Sequence, residues 1–164
     1  MIKIRKEKII YLYFLFSIIV SFSLFLIFYN TIQYTVKINE KNYTIKNLIS
    51  TNLEYPYYID YSAIKNNKFY INGWLVKRGT DNIVINRSIV IKDGKGDYYK
   101  IFTKSYINEN VSTYFNNEFD YYRTGLVGKG KLNKKMKPPF TIYFLIEEQN
   151  SNILINTQKI IERN

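Results

Sequence analysis

Residues 9–29 read IIYLYFLFSIIVSFSLFLIFY, twenty-one positions without a charge, a proline or a glycine. A bilayer's hydrocarbon core is roughly 30 Å thick and a helix rises about 1.5 Å per residue, so about 20 apolar residues cross it. In that medium the peptide groups must bond within the segment, as a helix allows. The stretch is therefore expected to be a single transmembrane helix, and the architecture depends on which side the rest of the chain occupies.

The flanks supply an expected orientation. Lys3, Arg5, Lys6 and Lys8 precede the span against one acid, Glu7, and no cation follows it until Lys37. Basic residues beside a span are retained on the cytoplasmic side. The reading is a plasma-membrane, single-pass protein with a cytoplasmic basic flank over 1–8 and an extracytoplasmic remainder. A cleaved signal peptide also begins basic and then apolar, but its apolar run is roughly 7–15 residues and ends at a small-residue site. Bulky residues follow Leu26 here, so an uncleaved signal anchor is expected.

The chain has 24 basic and 13 acidic residues, and setting aside the cations and Glu7 of the flank leaves 20 against 12. It has no Cys, so no disulfide framework supports the outer domain. Stability must come from one hydrophobic core, which a chain of this size can build. Richness in Ile, Asn, Lys and Tyr is that of AT-rich coding, as in low-GC bacteria. In such a cell the sequons at Asn42, Asn86 and Asn110 are incidental; in a eukaryotic secretory protein they would accept glycans.

Outward from the span, residues 30–56 read as a stalk or accessory strands. Ile32, Tyr34, Val36 and Ile38 alternate with polar residues, the period of a strand, and the tetrad 39–42 could turn a short hairpin or interrupt an extended stalk. From 57 onward, runs at 57–61, 68–77, 87–92, 98–104, 121–132, 140–147 and 153–161 are strand-like, with turn residues between them. The sequence DGKGD at 93–97 is the strongest hairpin signal, because its glycines can take positive φ. Residues 108–119 read as a loop with one helical turn. About seven strands, with no helix long enough to cover a sheet, predict an antiparallel β-sandwich over 57–164.

INGW at 71–74, SIVIKDGKGDYYKI at 88–101, VSTYFNN at 111–117, GLVGKGKL at 125–132 and PPFTIYFLIE at 138–147 carry a resemblance. Their order resembles that of small immunoglobulin-like β-sandwich ectodomains on membrane-anchored proteins of low-GC Gram-positive bacteria. The resemblance covers about 57–159 and implies a buried Trp74 and an association with cell-surface glycopolymer synthesis. It implies no catalytic residue.

The absence of His and Cys excludes Ser-His-Asp and Cys-His catalysis and the usual zinc ligand sets. Glu147 and Glu148 are adjacent in a strand and point to opposite faces. Glu118 and Asp120 share a side but lie in a loop, and Ser105, Ser112 and Lys104 form no Ser-Lys signature. A calcium loop at Asp93 and Asp97 lacks the later bidentate Glu. A non-enzyme without cofactor or metal is expected.

Two features are candidates for binding. Arg123, Lys129, Lys131, Lys134, Lys135 and Lys137 would attract an anionic polymer such as teichoic acid, or lipid head groups, unless they form only a solvated loop. Tyr98, Tyr99, Tyr121 and Tyr122 come in adjacent pairs, each expected to turn one ring to the core and one to solvent, where it could stack on sugars or proteins. An outside location argues against nucleic acid as partner. Two readings result: a module contacting envelope glycopolymer or its synthesis machinery, or a subunit of a secretion, division or transport complex using a sheet edge or the helix. Ser17 and Ser21, four apart, are a cue for a helix-mediated homodimer.

Overall fold

The computed structural model describes residues 6–31, 35–52, 54–82, 85–116, 119–148 and 151–161. The chain divides into two compact units, Met1–Gln33 and Tyr34–Asn164.

The first unit is helix α1, Lys6–Thr31. No proline or glycine interrupts it, and its described side chains are exposed on every face. A helix apolar all round has no polar side to offer water. Its stretch Lys8–Phe28 is long and apolar enough to cross a membrane. The hydroxyl of Ser23 donates back to the Ile19 carbonyl at 2.8 Å, so this polar group is satisfied within the helix. Lys8 is exposed at its start, while Lys3 and Arg5 lie outside the described residues.

The second unit holds ten strands among the described residues: β1 (Val36–Ile38), β2 (Thr44–Asn47), β3 (Tyr57–Lys65), β4 (Lys68–Leu75), β5 (Asn86–Lys92), β6 (Tyr98–Lys100), β7 (Phe102–Tyr106), β8 (Gly125–Lys131), β9 (Phe140–Glu147) and β10 (Asn152–Ile161). They form a six-stranded sheet in the order β1-β6-β5-β9-β10-β2 and a four-stranded sheet in the order β3-β4-β8-β7. Pairing is antiparallel except between β10 and β2. A short helix α2 (Glu109–Tyr114) lies between β7 and β8.

The strand count exceeds the expected seven for two reasons. The run at 98–104 is divided at Ile101, which is buried and donates its N–H to the Ile89 carbonyl at 3.0 Å. There the chain leaves the six-stranded sheet and enters the four-stranded one. Second, β1 and β2, within the segment 30–56 expected as a stalk or accessory strands, are strands of the six-stranded sheet. They do not pair with each other as a hairpin. β1 lies at one edge and β2 at the other, with a single 3-10 turn, Glu40–Asn42, between them.

That crossing covers the sheet. Ile38 and Tyr43 pack on Val90, Tyr98, Tyr143, Leu145 and Leu154, the outward residues of the six-stranded sheet. The inward residues Ile89, Ile91, Phe140, Ile142, Phe144 and Ile146 join Phe69, Ile71, Leu75 and Leu126 of the other sheet in the main core. The rings of Phe69 and Phe140 meet edge to face across it, 5.2 Å apart. β9 is therefore buried on both faces, which explains an almost unbroken apolar run. On β8 the inward positions are Gly128 and Gly130, where an added Cβ would stand 2.7 Å and 2.5 Å from Ile101. These glycines let the two sheets approach closely, and they are why this strand looks interrupted in sequence.

Candidate functional site

The outward face of the four-stranded sheet, among the described residues, has such cover only at Trp74, against which Phe115 packs at the end of α2. Its residues follow from the register, because directly opposed residues of antiparallel strands share a face. Tyr58, Trp74, Gly125 and Tyr106 make one row; Tyr61, Asn72, Val127 and Lys104 the next. Ala63, Tyr70, Lys129 and Phe102 form a third row, and Lys65, Lys68 and Lys131 a fourth. Aromatic rings and lysines thus interleave across all four strands. The sole acid among these β3 residues is Asp60, at the irregularity between Ile59 and Tyr61.

Local contacts fix the arrangement. The ammonium of Lys129 lies 5.8 Å over the Tyr70 ring, Lys65 5.6 Å over Tyr61, and Lys104 5.7 Å over Phe102. Such cation–π contacts place each charge beside a ring without neutralising it. The bond to Tyr61 holds the Lys65 ammonium above its ordinary value. Tyr106 lies against Gly125 and donates to the Asn72 side chain at 3.0 Å. Its hydroxyl is shifted upward, first by burial and then by Asp60. Among the described residues, Lys65, Lys68, Lys104, Lys129 and Lys131 form no ion pair.

Of the expected basic group, Lys129 and Lys131 stand on this face, and Lys134, Lys135 and Lys137 are exposed in the loop that follows. The loop's backbone is held firmly. Asp93 is buried, its Oδ1 accepting from the N–H groups of Lys95 and Asp97 and its Oδ2 from that of Lys137 at 3.2 Å. Asp93 is thus a backbone clamp joining two loops. The Lys95 ammonium donates to the Lys135 carbonyl at 2.9 Å. Lys131 and Lys134 share a depression of about 290 Å³ with Thr35.

Arg123 does not join the cluster. It lies at the other end of β8, which at about 3.3 Å per residue spans roughly 20 Å, and shares a depression with Glu109 and Asp120. Its carbonyl is one acceptor of Arg87, a buried guanidinium that also donates to the Leu75 carbonyl at 2.8 Å and to Asn82. Burial pushes the Arg87 pKa down to about 10.

At Tyr121 and Tyr122 one ring is buried and the other exposed, as alternation predicts; at Tyr98 and Tyr99 both are buried, which corrects the expectation of one solvent-facing ring there. Tyr99 lies in the main core, and Tyr98 packs edge to face on Tyr143 at 5.3 Å beneath the covering turn. Tyr121 is fully buried beside Val76 and Val111. Only Tyr122 is exposed. Pairs alternate as expected, but both sides of the six-stranded sheet are covered, so neither ring of Tyr98-Tyr99 meets solvent. Trp74, expected as a core plug, is half-buried on the outward face, its ring 6.4 Å from Phe115.

The acidic candidates are spent locally or undescribed. Glu147 pairs with Lys100 and Glu148 with Lys77, each at 2.6 Å. Asp120 accepts the Tyr122 N–H, and Glu118 lies outside the described residues. The residues missed from sequence as binding candidates are Tyr70, Phe102 and Tyr106 with Lys65, Lys68 and Lys104. Their signal is alternation within four separate strands, which becomes one surface only when the pairing order is known. Comparison with protein-family models, with curated proteins and with solved structures finds no match for this chain.

Proposed function

We propose that the protein is a membrane-anchored, non-enzymatic binding module that holds an anionic, sugar-containing polymer of the cell envelope on the outward face of its four-stranded sheet. The domain is an immunoglobulin-like sandwich, and α1 is its single-pass anchor with the N-terminus cytoplasmic. The basic flank before α1 supports that orientation.

One observation carries the reading. Lys65, Lys68 and Lys131 stand in register across three neighbouring strands. Like charges directly opposite each other on a sheet are destabilising. An anionic ligand relieves that repulsion, while the adjacent rings give sugar faces a surface to stack on. Lys134, Lys135 and Lys137 extend the positive field beyond the row.

The test is binding of purified teichoic acid to the full chain in neutral-lipid nanodiscs. Lys129→Glu with Lys131→Glu is expected to weaken it by at least ~10-fold, with a steep salt dependence. Charge reversal at Lys134, Lys135 and Lys137 is expected to weaken it less. If these variants retain the polymer and instead lose a protein partner in the membrane, the chain is a subunit of a membrane complex.

A further inference from the structure

At the row of Tyr58 and Trp74 the sheet face runs into a groove of about 540 Å³, lined in part by residues 50–52 and the end of α2. This volume lies within the roughly 300–1,000 Å³ of small-ligand pockets. Its aromatic wall is built of rings packed edge to face. Trp74 and Phe115 stand perpendicular, Phe115 is 5.5 Å from the fully buried Tyr121, and Tyr114 lies 4.9 Å from Phe115. Tyr58 and Tyr114 remain widely exposed, at 55% and 74%.

The polar residues Ser50, Thr51 and Asn52 also line the groove. Asn52 Oδ1 accepts the N–H groups of Glu54 and Tyr55, both at 2.9 Å, which fixes this turn. The Asn52 amide NH2 and the hydroxyls of Ser50 and Thr51 have no hydrogen-bond partner among the described residues. Among the described residues, no lysine or acid lines the groove. Its one charge, Arg78, lies 5.4 Å over the Phe115 ring.

Ring faces beside amide and hydroxyl groups match one chemistry well. A pyranose carries an apolar C–H face and an equatorial rim of hydroxyls, whereas a wholly apolar ligand would leave the polar groups unpaired. We infer that this groove is a saccharide subsite that takes an uncharged pyranose ring. The inference rests on the sheet face being the polymer's seat, and adds that sugar rings are read here while the lysine rows hold the anionic groups.

The chain's only tryptophan lies in the groove and reports its occupancy. Full-length protein in neutral-lipid nanodiscs is titrated with two uncharged probes, the hexamer of N-acetylglucosamine and cellohexaose. At least one is expected to change Trp74 emission saturably. Tyr114→Ala, an exposed site whose truncation leaves the core intact, is expected to weaken that binding roughly tenfold. Lys159→Glu, at an exposed position of β10 in the six-stranded sheet, leaves it unchanged. No emission change with either probe, or a Tyr114→Ala variant that binds as tightly, overturns the subsite. Absence of teichoic acid binding by the unaltered protein, with its oligosaccharide response intact, counts against the sheet reading and sustains the groove.

Discussion

The two sheets share one core but treat their outward faces differently. On the six-stranded sheet Val90, Tyr98, Tyr143, Leu145 and Leu154 lie beneath Ile38 and Tyr43. On the four-stranded sheet Tyr58, Tyr61, Phe102 and Val127 stand in solvent among lysines. Tyrosines occur on both, so residue type does not separate them. What separates them is whether another piece of chain lies on top. A covered ring contributes to folding through its removal from water, about 25 cal/mol per Å² of apolar surface. An open ring keeps part of that free energy in reserve for a partner.

The largest test of the contrast is paired truncation. Tyr143→Ala, beneath the cover, is expected to cost about 3–5 kcal/mol in denaturant unfolding. Tyr61→Ala, on the open face, is expected to stay within roughly 0.5 kcal/mol of the parent. Similar losses at both sites would mean that the open face is in fact covered, and the comparison would fail.

Next in size is the spacing between the sheets. Gly128→Val places branched carbons where Ile89 and Ile101 already sit, and overpacking of this kind costs typically 1–3 kcal/mol. The same change at Val127, made as Val127→Ile, faces outward and is expected to alter thermal stability by less than roughly 0.5 kcal/mol. A benign Gly128→Val would show that the sheets can part without penalty.

The smallest expected effect concerns how the cover is pinned at its β1 end. Lys37 pairs with Asp97 at 2.8 Å, and its hydrogen bond holds the Asp97 carboxyl below the ordinary value. A lowered carboxylate contributes stability above its unfolded pKa, about 3.9, and loses it as pH falls through the lower folded value. Amide exchange at Lys37 and Tyr99 is therefore expected to quicken below about pH 4 while that of β4 and β8 does not. Asp97→Asn removes this dependence. Equal acceleration across both sheets would point to global unfolding.

Much of the second unit was legible because its signals are local. β9 stands out as an apolar run, and the turn at 93–97 carries its glycines where the chain reverses, Gly96 at φ +92°. The crossing over residues 39–42 was not legible. Asn39-Glu40-Lys41-Asn42 suits a hairpin as well as a crossing, and only pairing with β6 on one side and β10 on the other distinguishes them. The basic group was half legible: Lys129 and Lys131 share a face by their spacing, but Arg123 lies at the far end of the same strand. The open aromatic face was hidden, since β4 pairs with β8, a strand distant in the chain, and β7 joins the face only through β8.

The sequence by itself determined the span-length apolar helix, the β-rich character of the remainder, and a chemistry without imidazole or thiol. Each is a property of composition or of periodicity within a few residues. Only the tertiary structure decided which side of each strand is closed. Alternation assigns neighbouring residues to opposite faces, but whether a face is roofed depends on where a remote segment passes. For Tyr98 that segment is the short crossing of Ile38 and Tyr43; for Tyr61, among the described residues, there is none.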